Sequence, residues 1–299
     1  MSKYQLLVRG EDLQTILEFS FAKNILFNNA VLRITDYPVR VNPFDKIVVL
    51  ALNSLKPWEA IVRRLKALEC VVLIYHMGDE LNKFDKGLYE DCDFVFRNYF
   101  FSEIFNKSCF FGRIAWVPNG YKTGVGPTNV ALLKTVRERS IRAGFVGWFG
   151  HEHSSAERSE LKQLRERNLS KFTLVETSSF GAGLSTSRYA ALMEDFVFAY
   201  CPAGNSPETI RLYDALELGC IPVVVNHDYL SAPEALGRYG PVPFLVVDRW
   251  EIAQDRIDRL LESPQGLEEI EAWRLRCSHW WAEVKAERQR FISNVVAFV

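Results

Sequence analysis

The chain has no uninterrupted apolar stretch near the roughly 20 residues that a membrane-spanning helix requires. Its opening, MSKYQLLVRGEDL, carries a lysine but no apolar run of signal-peptide length, so a soluble protein is expected. A basic excess is missing as well. With 36 Lys and Arg against 37 Asp and Glu, the net charge of −1 leaves no electrostatic footprint for nucleic acid. None of the six cysteines, at positions 70, 92, 109, 201, 220 and 277, forms a C-x-x-C pair. That spacing, with most of them in apolar runs, favours buried thiols in a reducing, cytoplasmic compartment over a zinc site or a disulfide framework. No GK[ST] occurs, and GWFG lacks the spacing of a dinucleotide fingerprint, which removes P-loop NTPases and dehydrogenases from consideration.

What remains is ordinary globular material: 299 residues, 48% apolar and 24% charged, enough for two cores. Short β-branched or aromatic runs alternate with helical spacing, as in open α/β sheets. In the first part YQLLVRG, KIVVLAL (46–52), CVVLIYHM, DFVFRNYF and RIAWVPNGY read as strands. Asp12 to Phe27 and KPWEAIVRRLKAL read as helices. KTGVGPTN, Lys122 to Asn129, is the most Gly- and Pro-rich run and marks a boundary. The expected organisation is a first domain over 1–124, a second over 125–279, and a terminal helix of about 280–299.

The second part is organised around CPAGNSPETIRLYDALELGCIPVVV, beginning at Cys201. FVFAY, Phe196 to Tyr200, is a strand buried on both faces. A loop with Gly204 and Pro207 leads into a helix starting at Glu208 or Thr209, which Gly219 and Pro222 end. Arg211 lies in the first turn, and Asp214 follows three residues later on the same side. Strand end, loop and helix N-terminus place backbone N–H groups and a guanidinium where α/β sheets bind anions. The competing reading is a solvated surface arginine, since a cation in a first turn opposes the helix dipole.

This stretch resembles the exostosin-type glycosyltransferases, whose second domain carries a proline- and glycine-containing loop and then R-L-x-[DE]-A-L-x-x-G-C-I-P-V. Within them it looks closest to the ribitol xylosyltransferase group. The resemblance implies a GT-B fold, with two Rossmann-like domains whose parallel sheets face a cleft and a terminal helix that returns to the first domain. It also implies an inverting enzyme that moves a sugar from a UDP-sugar, UDP-xylose first, to a hydroxyl of a glycan acceptor. By resemblance the nucleotide sugar meets Gly147, Gly204, Pro207, Thr209, Arg211, Leu212 and Asp214. Arg211 would hold the diphosphate, and Asp214, where glutamate is frequent, the ribose hydroxyls.

Inverting displacement needs a general base on the acceptor hydroxyl. The strand CVVLIYHM ends in Gly78, Asp79 and Glu80, and the same H-x-G-D-E recurs in the ribitol xylosyltransferase group. Glu80, with the longer reach, is the favoured base, and Asp79 the cap of a helix starting near Leu81. A purely structural cap with a first-turn acid is the alternative for the pair, and His76 is a lesser candidate. Asp91, Cys92 and Asp93 match a short D-x-D metal motif but open a strand, and His151 with His153 lacks further ligands. Neither a metal nor another cofactor is therefore expected. Trp280 and Trp281 seal the tail helix more readily than they stack on sugar. A non-catalytic glycan- or nucleotide-sugar-binding protein on the same fold is the competing function, and a nucleotide-sugar epimerase a weaker one.

Overall fold

Among the described residues every sheet hydrogen-bond ladder is parallel, and the chain divides into two units. The computed structural model describes residues 4–13, 15–34, 41–105, 112–149, 156–167, 172–179 and 183–299. Unit 1 comprises Met1–Asn119, Ala232–Arg238 and Lys285–Val299; unit 2 comprises Gly120–Ser231 and Tyr239–Val284.

Unit 1 holds β1 (Tyr4–Val8), β2 (Ala30–Ile34), β3 (Lys46–Leu52), β4 (Val71–Met77), β5 (Phe94–Arg97) and β6 (Ile114–Trp116), in the order β2-β1-β3-β4-β5-β6. The continuous apolar runs of β3 and β4 are buried on both faces, as parallel strands between helices must be. Two short helices, α1 (Gly10–Leu13) and α2 (Phe19–Phe21), and a π-helical turn at Ala22–Leu26 replace the single helix expected over 12–27. Helix α3 (Glu59–Ala67) buries Ile61, Val62 and Leu65 against Val49, Val72 and Ile74. Strand β2 was not legible in the sequence. No helix starts near Leu81: Asn82 has φ +54°, outside the helical region, and turns lead on to β5 and the single turn α4 (Ser102–Phe105).

Unit 2 follows with β7 (Ile141–Gly147), α5 (Ala156–Arg167), β8 (Thr173–Glu176), α6 (Thr186–Glu194), β9 (Phe196–Tyr200), α7 (Ile210–Glu217), β10 (Ile221–Val225), β11 (Leu245–Val247) and α8 (Trp250–Glu262). Its sheet order is β11-β10-β9-β7-β8. The chain leaves β7 to one side for β8 and returns on the other side as β9, so the order reverses between β7 and β9. Loops part at such a point and leave a crevice beyond the strands' carboxyl ends. Helix α7 stops at Gly219, whose φ of +69° suits glycine, and the Cys220 amide closes back onto the Ala215 carbonyl at 2.8 Å.

The long helix α9 (Gly266–Phe298) runs from one unit into the other. In unit 2, Trp281 is buried against Tyr213 with ring centroids 5.3 Å apart, and Trp280 packs on Tyr239 and Phe244. Both indoles thus serve packing. In unit 1, Arg288 donates to the Trp116 carbonyl at 3.1 Å. Lys46 Nζ donates to the carbonyls of Val296 and Ala297 at 2.7 and 2.8 Å, satisfying orphan acceptors of the last turn.

The segment that opens unit 2 buries Tyr121 and Val125, and two buried acids of α7 hold its backbone. Glu217 accepts from the Thr128 amide at 2.7 Å and, through its other oxygen, from Trp281 Nε1 at 2.8 Å. Asp214 accepts from the Lys122 amide at 2.7 Å and from the Tyr189 hydroxyl at 2.8 Å. Burial nevertheless pushes the Asp214 carboxyl up from 3.8 to about 6, against the pull of those two hydrogen bonds. Between these values the folded chain keeps a proton that the unfolded chain has released, so the stability contributed by this group is greatest at the acid end and declines as pH rises through 6. Asp214→Asn keeps the shape and can reverse the bond to Tyr189. Urea unfolding across this window should show the variant gaining on the wild type as pH rises, by on the order of 2 kcal/mol. A pH-independent difference would show that Asp214 does not titrate there.

Candidate functional site

At the switch point of unit 2, β7 ends at Gly147, and Arg211 reaches back from the first turn of α7 to meet it. Arg211 Nε donates to the Val146 carbonyl at 2.9 Å, and its guanidinium lies 4.5 Å from the Phe145 ring centroid. A Cβ on Gly147 would overlap Arg211 Nη2 and come within 2.8 Å of Phe145 Cζ. A side chain here would have to displace the end of Arg211. Among the described residues neither Nη1 nor Nη2 has a hydrogen-bond partner, and the side chain is only half-buried. The result is an aromatic-backed guanidinium with its fork available, the geometry that binds phosphate oxygens in pairs.

The loop after β9 is shaped from α5. Glu157 accepts from the Ala203 amide at 2.8 Å, and the next residue, Arg158, donates from Nε to the Ala203 carbonyl at 2.9 Å. Arg158 Nη1 also donates to the Trp148 carbonyl at 2.6 Å, so a single buried arginine ties together the loops that follow β7 and β9. His227, just after β10, completes the tie through Glu157 Oε1 at 2.7 Å. Gly204 sits in this loop, where an added Cβ would lie 3.2 Å from Arg158 Nη2. Pro207 is exposed, and buried Thr209 is the residue before α7 but makes no side-chain cap. Leu212 is fully buried, so its side chain serves the core instead of a ligand surface. Asp214 is buried with both oxygens bonded within the protein, as described above, and in this arrangement offers nothing to a ribose. Glu157, Arg158, His227, Tyr189 and Lys122 were not singled out from the sequence. AERSELKQLRER reads as a solvated helix, and nothing in it marks the clamp.

In unit 1 the end of β4 is a buried polar network. His76 Nε2 donates to the Asn53 carbonyl at 2.5 Å, which leaves Nδ1 to accept from Tyr89 Oη at 2.5 Å and from Arg97 Nη1 at 3.0 Å. Burial, followed by the Arg97 charge, lowers His76 to about 3, so the ring is neutral. Asp79 pairs with Arg97 at 3.0 Å and Lys86 at 3.2 Å, and accepts from the Lys83 amide at 2.8 Å. Burial opposes its ionisation, but Arg97, the Lys83 amide and Lys86 outweigh it and hold the carboxyl below its ordinary range. Asp79 therefore caps a turn instead of the expected helix, with its charge fully engaged. Glu80 differs. It is half-buried and accepts one bond, from Tyr99 Oη at 3.2 Å, with its second oxygen unpartnered among the described residues.

The D-x-D run has structural employment. Asp93 accepts from Lys66 at 2.8 Å and from the Val72 amide at 2.7 Å. His151 and His153 lie outside the described residues. Cys70, Cys92, Cys201, Cys220 and Cys277 are free and buried, and Cys109 lies outside the described residues. Among the described residues no helix is long and apolar enough to cross a membrane, and no group of three or more His, Cys, Asp or Glu side chains could hold a metal ion.

Residues 127–244 match the protein family described as the Exostosin GT47 domain, a span that takes in Gly147, the loop at Gly204 and all of α7. No curated protein matches the chain. Among solved structures, Anabaena Alr3699/HepE in complex with UDP is similar over 100% of this chain and 100% of that chain, with a TM-score of 0.54 and 13% identity. The same protein in complex with UDP-glucose covers 99% and 100%, with a TM-score of 0.51 and 12% identity. A chain of the GtfA/B complex is similar over 86% of this chain at a TM-score of 0.50 and 10% identity, and this chain spans 58% of its length. At such identities the likeness is one of fold. Two Rossmann-like units with parallel sheets, the GT-B class, is the fold of this chain, and its Arg211 segment lies inside the exostosin GT47 match.

Proposed function

We propose that the chain is an inverting glycosyltransferase that moves a sugar, xylose as the first donor to try, from a UDP-sugar to a hydroxyl of a glycan acceptor. The observation that carries the reading is the Arg211 fork. It is braced by Phe145 and the Val146 carbonyl at a switch point, inside the segment that matches the exostosin GT47 domain. UDP and UDP-glucose in the Anabaena complexes agree with a donor of this class. Departure of the diphosphate develops negative charge. A fixed guanidinium and the N–H groups at the start of α7 stabilise it without reorganising.

On the acceptor side Glu80 is the base. Asp79 cannot serve, because its carboxylate is held ionised by Arg97 and Lys86 and is buried. His76 cannot serve either, since its lone pair already accepts from Tyr89 and Arg97. Glu80 keeps an oxygen for the acceptor hydroxyl, with Tyr99 orienting the group.

Arg211→Ala removes a charge-assisted contact and should weaken UDP binding by about 2–3 kcal/mol in calorimetry. Gly147→Ala keeps the arginine in the chain but displaces the end of its side chain, and should weaken UDP binding in the same direction. Wild-type affinity in both variants would refute the donor site.

Glu80→Gln preserves shape while abolishing proton abstraction, so turnover should fall about 10²–10⁴-fold with UDP affinity nearly intact. Retention of more than a third of wild-type turnover would place the base elsewhere. A wild-type chain that binds UDP-sugars yet transfers to no acceptor would be a binding protein.

Because guanidinium and helix dipole supply the compensating charge, turnover should persist in EDTA. Loss of turnover that manganese restores would instead require a metal at the diphosphate.

A further inference from the structure

Arg211 is not alone beside Asp214. We infer that Lys122 supplies a second positive charge to the phosphate groups of the nucleotide sugar, an assignment that rests on the donor site proposed above. The backbone of Lys122 is fixed, because its amide donates to Asp214 Oδ1 at 2.7 Å. Its ammonium lies 5.8 Å from the ring centroid of Tyr189, whose hydroxyl donates to the other oxygen of Asp214 at 2.8 Å. Arg211 stands three residues before Asp214 on the same helix, so both cations flank one buried acid. Yet the two oxygens of that acid are occupied by neutral donors, an amide and a phenol. Among the described residues, neither the Lys122 ammonium nor the Arg211 fork has a hydrogen-bonded protein partner.

The two cations are seated alike, Arg211 over Phe145 and Lys122 over Tyr189. A ring face attracts a cation without accepting its hydrogens in a directed bond, so position is restrained while the donors stay available. Two such cations next to one acid leave an uncompensated positive charge. A diphosphate, with about two negative charges in this part of a nucleotide sugar, is attracted by that net positive charge, whereas either cation alone would only balance the acid.

The test is calorimetric titration of the full chain with UDP and, separately, uridine. Lys122→Met keeps an unbranched side chain of similar length and the backbone bond to Asp214, and it removes the charge. The UDP dissociation constant should rise about tenfold. Uridine, which lacks phosphate, should bind as to wild type, Lys122→Arg should restore UDP binding, and the salt dependence of UDP binding should weaken in Lys122→Met. Wild-type UDP affinity in Lys122→Met, with Arg211→Ala impaired, overturns this inference and leaves the donor site standing. Wild-type affinity in both overturns the donor site itself. Equal losses for UDP and uridine, accompanied by a lower melting temperature, would make Lys122 a packing residue and overturn the inference as well.

Discussion

The bond from Arg211 Nε to the Val146 carbonyl joins the end of β7 to the first turn of α7, and the arrangement of this edge of unit 2 depends on it. A guanidinium in a first helical turn opposes the helix dipole and would ordinarily swing into water. Here one nitrogen is pinned to a strand carbonyl, the plane rests on Phe145, and Gly147 clears the space that any other residue would fill. The arginine is held by its inner half, so its outer half is free to act. The loops on either side could not splay without breaking the Arg158 tie between Trp148 and Ala203. Sheet order decides where these parts meet, because the reversal between β7 and β9 is the position at which consecutive loops diverge.

The two units treat buried charge in opposite ways. At the end of β4, Arg97 and Lys86 neutralise Asp79, His76 is held neutral, and the network is buried. Such a cluster is expensive to open, since removing one partner strands another charge in low dielectric. It is scaffolding, and it leaves Glu80 as the acid of the pair with capacity to spare. In unit 2 the buried acids of α7 are bonded mainly to amides, a phenol, an indole and a hydroxyl. Their neighbouring cations are therefore not consumed in ion pairs. A charge left unpaired by the protein beside an acid already satisfied is what a bound anion requires.

Much of the architecture was legible from composition alone. FVFAY, IPVVV and the IVVLAL run of β3 are continuously apolar, and a strand with no polar face must be buried on both sides, which entails a parallel sheet under helices. Gly219 and Pro222 announced the end of α7, because one supplies a positive φ and the other cannot continue a helix. Strand β2 escaped notice since AVLRI is short and half-exposed at a sheet edge, and the helix expected after Glu80 failed because periodicity carries no information about the φ of Asn82.

By itself the sequence determined the alternation of buried strands with helices, and hence the α/β class; it also placed Arg211 at a helix start after a strand, since both follow from local spacing and turn chemistry. Which charges are free follows from contacts made in the folded chain. Asp79 and Glu80 are neighbours of like chemistry, yet Arg97, 18 residues beyond Asp79, consumes one and leaves the other. Likewise the partners of Asp214 come from Lys122 and Tyr189, which are 92 and 25 residues away along the chain. Electrostatic pairing depends on distance in space, and a parallel sheet brings together residues that no local pattern relates.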